Sequence, residues 1–337
     1  MTEKDDELAE VKKWVSRKRT VEELIRLPGD ASTRCYYRLT AQGKTFVVMK
    51  MEAFNSGETN FLSVQRHLAA SGVDVPAVLD VSPEQGLLLL EDLSDMVLLR
   101  RLQDVASADI ERHLYEKVID SLVQMQVRAS PAPAKKLPDL DAFRLRFDCD
   151  KLMWEVRFTM EHFYDKYLKR DIKPQDKKLI EDSFIEICNF LAEQPAVLTH
   201  RDFHSRNIMC LGERLVMIDF QDARMGPAQY DLASLLKDSY YQLEDVQVAR
   251  LLDYYIARWE AQSGQRVNRE HFMKVFDFMS VQRNFKAIGS FASFLNRRGN
   301  ATYLKFIGNT FENMRRTLLK YPKYSGLREV LFHYYYF

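Results

Sequence analysis

A chain of 337 residues has room for two lobes, and its 46% hydrophobic and 12% aromatic content can supply a sizeable core. Its 49 Lys and Arg against 48 Asp and Glu leave a formal net charge of +1, so no whole-molecule field calls for a nucleic-acid partner. The acidic start MTEKDDELAE reads against a secretory signal, no run approaches the roughly 20 apolar residues of a membrane helix, and four scattered cysteines without a C-x-x-C pair fit a reducing compartment better than a structural zinc site, so the expectation is a soluble cytoplasmic protein with no membrane partner.

In chain order, a short helical pattern runs from about Leu8 to Val15. CYYRLT (Cys35 to Thr40) and KTFVVMKM (Lys44 to Met51) are β-rich runs around a Gly43 turn and predict an antiparallel hairpin. Glu58 to Ala70 carries apolar residues at helical spacing and stops at Ser71-Gly72. PAVLDV and GLLLLED predict two more strands, so the first ninety or so residues read as a small antiparallel sheet with one helix inserted. Beyond a hinge near residues 90–95 the pattern turns helical: Ala106 to Arg128, then a Pro-rich connection SPAPAKKLPD, then helices over 143–167 and 175–193. Two short strand-like runs, IMCL and RLVMIDF around Gly212, interrupt the helices, which then resume to the end. The expected fold class is α+β in two lobes, a β-rich one over residues 1–93 and a helical one over 94–337.

The stretch VLTHRDFHSRNIMCLGERLVMIDFQDA concentrates chemistry between apolar flanks. Phosphoryl transfer needs a cation on the donor phosphates, oxygen ligands for Mg²⁺ and a carboxylate to orient or deprotonate the acceptor hydroxyl. HRDFHSRN supplies His200, Asp202 and Asn207, and MIDF supplies Asp219. The order and spacing resemble the protein-kinase-like catalytic loop, with Asp202 as base and Asn207 and Asp219 as metal ligands. Lys50, ending FVVMK, resembles the lysine that pairs with donor phosphates. As a plain polar loop these carboxylates would be buried between apolar strands without partners, which is costly. His200 reads as structural, and His204 reads equally as a loop histidine or a substrate contact.

HRDFHSRN, IDFQDA and GPAQYDLASLL together resemble the aminoglycoside phosphotransferase and choline kinase family, which shares the protein-kinase-like two-lobe fold. LPGDASTRCYYRL and VQRNFKAIGSFASFLNRRG are similar to the bacterial N-acetylmuramate/N-acetylglucosamine anomeric kinases of cell-wall recycling. The resemblance implies ATP and Mg²⁺, transfer to the anomeric hydroxyl of an amino sugar, and a monomer or weak homo-oligomer. It implies Lys50 on the phosphates, paired with Glu58 or else Glu52, and Glu91 to Leu93 as the hinge whose backbone meets adenine. PGDASTR stands where a glycine-rich loop would be, so amides from Gly29 to Thr33, the Ser32 hydroxyl and Arg34 would cover the phosphates. Only a dozen residues separate Asp219 from Asp231 and no A-P-E follows, which argues for a small-molecule acceptor. Asp231 reads as an N-cap or as a brace for the catalytic loop.

The acceptor candidates are His204, Arg206, Gln221, Asp222 and Arg224 from the motif, with Arg283 and Asn284 from the late helix. Two alternatives remain open on the sequence. One is a related kinase for an aminoglycoside, choline or another alcohol, for which Glu155, Glu161 and Asp165 would supply acid. The other is a non-catalytic scaffold, against which the retained Lys50, Asp202, Asn207 and Asp219 argue.

Overall fold

The computed structural model describes residues 3–28, 34–54, 59–131 and 139–336. The chain opens with helix α1 (Glu3–Val15), followed by strands β1 (Val21–Arg26), β2 (Cys35–Ala41) and β3 (Lys44–Lys50), helix α2 (Asn60–Ala70), and strands β4 (Val78–Ser82) and β5 (Leu87–Glu91). The five strands form one antiparallel sheet in the order β1-β2-β3-β5-β4. Gln42 and Gly43 both take positive φ, 54° and 67°, between the paired residues Ala41 and Lys44, as a two-residue hairpin with right-handed strand twist demands. Strand β1 leaves no signal in the sequence. It lies at the sheet edge with an exposed, bulged pattern, so neither alternation nor burial marks it.

The LLLL run of β5 is apolar throughout because both faces of the sheet are covered. Leu87 and Leu89 pack with Tyr37, Leu39 and Val48 under Val11, Trp14 and Val15 of α1. Leu88 and Leu90 face the other way, toward Phe61, Leu62 and Leu68 of α2, and join the main core. Helix α2 starts where Thr59 accepts a hydrogen bond from the Leu62 amide at 3.3 Å.

The rest is mainly helical: α3 (Leu98–Gln103), α4 (Ala108–Arg128), α5 (Asp141–Arg144), α6 (Cys149–Thr159) with a π-helical continuation over Met160–Tyr167, and α7 (Pro174–Ala192). Two small antiparallel pairs follow, β6 (Ala196–Thr199) with β9 (Arg224–Pro227), and β7 (Ile208–Leu211) with β8 (Arg214–Met217). Helices α8 (Gln229–Leu236), α9 (Asp245–Ser263), α10 (Arg269–Arg298), α11 (Ile307–Leu319) and α12 (Ser325–Tyr336) complete the chain. Near the end, Phe332 and Tyr334 are buried whereas Tyr336 is exposed.

Helix α10 is the axis of this part. It is 30 residues long, capped by Asn268 onto the His271 amide, and ended by Gly299 at φ 65°. Most side chains from Phe272 to Ala292 are buried, because α6, α8 and α11 pack around it. At Gly289 it meets the end of α6 so closely that a Cβ there would lie 2.7 Å from Thr159 Cα. The Thr159 hydroxyl donates to the Phe285 carbonyl at 2.9 Å, which locks the crossing. Gly289→Val is therefore expected to lower unfolding free energy by about 1–3 kcal/mol, as overpacking usually does. Gly308→Ala, whose nearest neighbour is the Tyr335 hydroxyl at 3.7 Å, is expected to be neutral or stabilising by up to about 1 kcal/mol. Urea unfolding of the two variants checks both.

Candidate active site

The residues from His200 to Asn207 join β6 to β7 as a loop sunk between the helices, and it is held from beneath. Asp231, buried in the first turn of α8, accepts the His200 amide at 2.7 Å and the Arg201 amide at 2.9 Å. It is a brace and not an N-cap, since the capping position belongs to Ala228. Burial pushes its pKa up to about 7, opposed by those two amides. Asp238 holds the next stretch, accepting the Ser205 amide at 3.0 Å and the Ser205 hydroxyl at 2.6 Å. With these braces the loop tolerates Arg201 at φ 82°, a left-handed conformation unfavourable for a long side chain. His200 is buried, and its Nε2 lies 2.9 Å from the Ile218 carbonyl, which ties the loop to the end of β8.

Three polar groups converge here. Asn207 Nδ2 donates to the Asp202 carbonyl at 2.9 Å and lies 3.4 Å from Asp219 Oδ2. Asp219 takes φ 66°, and Gln221 Nε2 donates to its Oδ1 at 2.8 Å. Phe220 beside it is fully buried and stacks on Phe61 of α2, with ring centroids 5.1 Å apart. The Asp219 backbone is thereby anchored to the sheet side of the molecule.

Asp202 Oδ1 accepts from Arg283 Nη2 and Lys286 Nζ, each at 3.1 Å, and both donors come from α10. Arg283 is itself set by its Nε bond to Ser234 Oγ at 2.9 Å. Burial would raise the Asp202 pKa, but Lys286, Arg283 and Arg201 overcome it and hold the carboxyl well below the usual range. Burial and the adjacent Arg283 push the Lys286 ammonium down to about 8. Burial also pushes His204 down to about 3, so it is neutral at ordinary pH.

These groups line a cavity of about 510 Å³. Of the residues singled out in the sequence, Asp202, His204, Arg206, Asn207, Asp219, Asp222, Arg283 and Asn284 line it. Gln221 and Arg224 do not: Gln221 is spent on Asp219, and Arg224 lies over the Phe147 ring at 5.1 Å. Asp222 pairs with Arg201 at 3.4 Å. Sequence reasoning missed Lys286, Tyr240 and Tyr303. Lys286 carries a usable signal, since it lies three residues after Arg283 and so shares its helix face.

On the sheet side, Lys50 Nζ bonds Glu10 Oε2 at 2.9 Å and the Gln85 carbonyl at 2.5 Å. Among the described residues its acid partner is thus Glu10 of α1 rather than Glu52. Glu58 and Ser32, with the whole stretch from Gly29 to Thr33, lie outside the described residues. Arg34 lies over the Phe61 ring at 5.7 Å. Between the sheet and the helical part, Glu91 takes Arg214 Nη1 at 2.6 Å and Leu93 packs with Met209 and Val216.

A hard cation such as Mg²⁺ asks for oxygen donors and keeps several waters. Asn207, whose amide nitrogen is turned to the Asp202 carbonyl, has its side-chain oxygen left to offer, and Asp219 adds a carboxylate. That donor set fits such an ion. Among the described residues there is no group of three or more His, Cys, Asp or Glu placed to hold a metal.

A model of the phosphotransferase enzyme family matches residues 23–268. The chain belongs to this family. An N-acetylmuramate/N-acetylglucosamine kinase of Pseudomonas aeruginosa is 31% identical over 317 residues, covering 92% of this chain and 88% of its own. An aminoglycoside phosphotransferase solved with ADP bound superposes with a TM-score of 0.62 at 14% identity, over 92% of this chain and 98% of that one. A choline kinase from Cryptosporidium parvum gives 0.63 at 12% identity, over 96% and 99%. These likenesses speak for the fold, which is the protein-kinase-like architecture expected from the sequence. Among the described residues, no helix is long and apolar enough to cross a membrane.

The loop makes one structural prediction. Asp231→Ala leaves the His200 and Arg201 amides unpaired and should cost about 1–3 kcal/mol for each. Denaturant unfolding reads the loss, and faster hydrogen exchange at those two amides locates it.

Proposed function

We propose that this phosphotransferase is an ATP- and Mg²⁺-dependent amino-sugar kinase. It transfers the γ-phosphoryl group to the anomeric hydroxyl of N-acetylmuramate or N-acetylglucosamine, giving the sugar 1-phosphate in cell-wall recycling. The observation that carries the reading is Asp202: one carboxylate oxygen is held by Arg283 and Lys286, and the side chain lines the same cavity as Asn207 and Asp219. The names of the relatives over nine-tenths of the chain support the acceptor class.

In this reading the acceptor hydroxyl hydrogen-bonds to Asp202, which orients it and receives its proton. A carboxylate held well below its usual pKa is a weak base. That is tolerable in a largely dissociative transfer, where the proton leaves late. Asn207 and Asp219 would hold Mg²⁺, whose charge would offset that of the donor phosphates. Lys286 and Arg283, beside Asp202, put positive charge where the transferred group acquires negative charge. Lys50, fixed by Glu10, is the candidate for the other donor phosphates, and the backbone of Glu91 to Leu93 for adenine.

A cationic acceptor such as choline or an aminoglycoside would meet a mixed lining, with Arg201, Arg206, Lys237, Arg283 and Lys286 beside Asp202, Asp219, Asp222 and Asp238. The acids offered for such an acceptor lie elsewhere. Glu161 and Asp165 border a separate groove, and Glu155 is buried against Gln282.

Asp202→Asn is expected to keep the wild-type circular dichroism, with a lower Tm because Arg283 and Lys286 lose their anion, while turnover falls roughly 10²–10⁴-fold. ATP consumption against a panel of amino sugars measures it, and phosphorus NMR locates the new phosphate on the anomeric carbon. The pH profile offers a second check. Lys286 is charged below about pH 8 and neutral above it, so kcat/KM should fall as pH rises through that value. Lys286→Arg, charged throughout, should remove that alkaline fall.

A further inference from the structure

Helix α10 lines the cavity with two adjoining stripes. Arg283, Lys286 and Ser290 follow one helical face, Asn284, Ala287, Phe291 and Phe294 follow the next, and all of them line the cavity. The first stripe supplies the two cations on Asp202. The second opens with a polar amide and then turns apolar. Its far end is closed by Tyr303, whose ring lies parallel to Phe291 at 6.0 Å and stacks on Phe294 at 4.7 Å. Tyr240 meets Phe291 at 5.9 Å and His204 at 5.2 Å, both edge to face, so the histidine joins the loop of Asp202 to the aromatic end.

Two polar atoms of this lining are unmet by any described residue. Asn284 is 3% exposed, and its Nδ2 is buried with no hydrogen-bond partner; His204 Nδ1 is buried in the same way. Native structures seldom leave such atoms unpaired. An amide nitrogen can only donate. Burial keeps His204 neutral at ordinary pH, its pKa pushed down to about 3, and a neutral imidazole has one nitrogen that accepts. The wall thus presents one donor, one acceptor and, a turn further along α10, an apolar surface.

We infer that Asn284 and His204 read an acetamido group on the acceptor sugar. Asn284 Nδ2 donates to the acetamido carbonyl, His204 Nδ1 accepts the acetamido N–H, and the methyl group lies against Ala287 and Phe291. A hydroxyl in the same place has neither carbonyl nor methyl to offer. A free amine has no carbonyl and brings a positive charge beside Arg283. Asn284 and His204 then set the preference for an N-acetylated over an unacetylated sugar. The inference rests on the amino-sugar reading above.

Steady-state kinetics at saturating ATP test it with N-acetylglucosamine and glucose, which differ only in the group that replaces one hydroxyl. In wild type the ratio of kcat/KM for N-acetylglucosamine to that for glucose should be roughly ten- to hundredfold, as two buried hydrogen bonds would give. Asn284→Leu and His204→Phe keep the shape of each side chain and remove its polar atom. Each should lower the ratio roughly three- to tenfold, chiefly through KM. Where glucose turns over too slowly, the inhibition constants of the two 1-deoxy sugars, which lack the reacting hydroxyl, give the same ratio. A wild-type ratio near one, or equal losses on both sugars in the variants, overturns the inference alone. Wild-type enzyme that turns over neither N-acetylmuramate nor N-acetylglucosamine overturns the amino-sugar reading and this inference with it. Should either variant melt below wild type, the wild-type enzyme decides with the acetate ester of glucose at the same carbon, which keeps the carbonyl and methyl and lacks the N–H. It should fall between the two sugars; equality with N-acetylglucosamine overturns the part given to His204, and equality with glucose the part given to Asn284.

Discussion

The buried carboxylate of Asp231 beneath the loop is the interaction on which the site depends. It satisfies two adjacent amides, His200 and Arg201, at the point where the chain leaves β6 and turns into the cavity. Without that acceptor the loop would hold two unpaired buried donors and an arginine in a left-handed conformation, with nothing to offset either. With it, Asp202 projects into the cavity and its carbonyl orients Asn207. Asn207 in turn receives the Ile218 amide through its backbone, which fixes the approach to Asp219. Each polar group of the loop is positioned by another, so loss at Asp231 propagates to the reacting end.

The electrostatics follow from where α10 passes. That helix is buried nearly all round, yet it carries Arg283 and Lys286. Buried cations need anions, and Asp202 is the one they find. The pairing has consequences on both sides. Asp202 stays ionised, and Lys286 is left close enough to neutrality that its charge depends on pH within the working range. The loop and Asp219 are the parts proposed for phosphoryl transfer. The rest of the cavity wall comes from α10 and from the segments around Tyr240 and Tyr303.

On the sheet side, α1 has two tasks. Val11, Trp14 and Val15 cover the face of the sheet that α2 leaves open, and Glu10 reaches Lys50. A helix that the sequence marks only as a short periodic segment thus joins the core and sets the one lysine proposed for the donor phosphates.

Features written in contiguous residues are legible in the sequence. The β2–β3 hairpin, the buried β5 run, the helices of the second half and the loop from His200 to Asn207 depend on local periodicity or on neighbours a few residues away. Burial forces those patterns onto the chain. What stays hidden depends on segments far apart. Strand β1 is exposed and bulged, so it carries no periodic signal. Gln221 and Arg224 lie beside the motif yet do not line the cavity: Gln221 is bonded to Asp219, and the Arg224 guanidinium lies over the Phe147 ring. Glu10 on Lys50, Lys286 on Asp202, and the two tyrosines under Arg206 join residues 34 to 97 positions apart. The sequence by itself determined the family and the fold class and singled out the residues proposed for phosphoryl transfer, since those rest on short-range spacing. Only the tertiary structure decided which cations face Asp202 and which aromatic wall carries Arg206, since packing alone brings those side chains within reach.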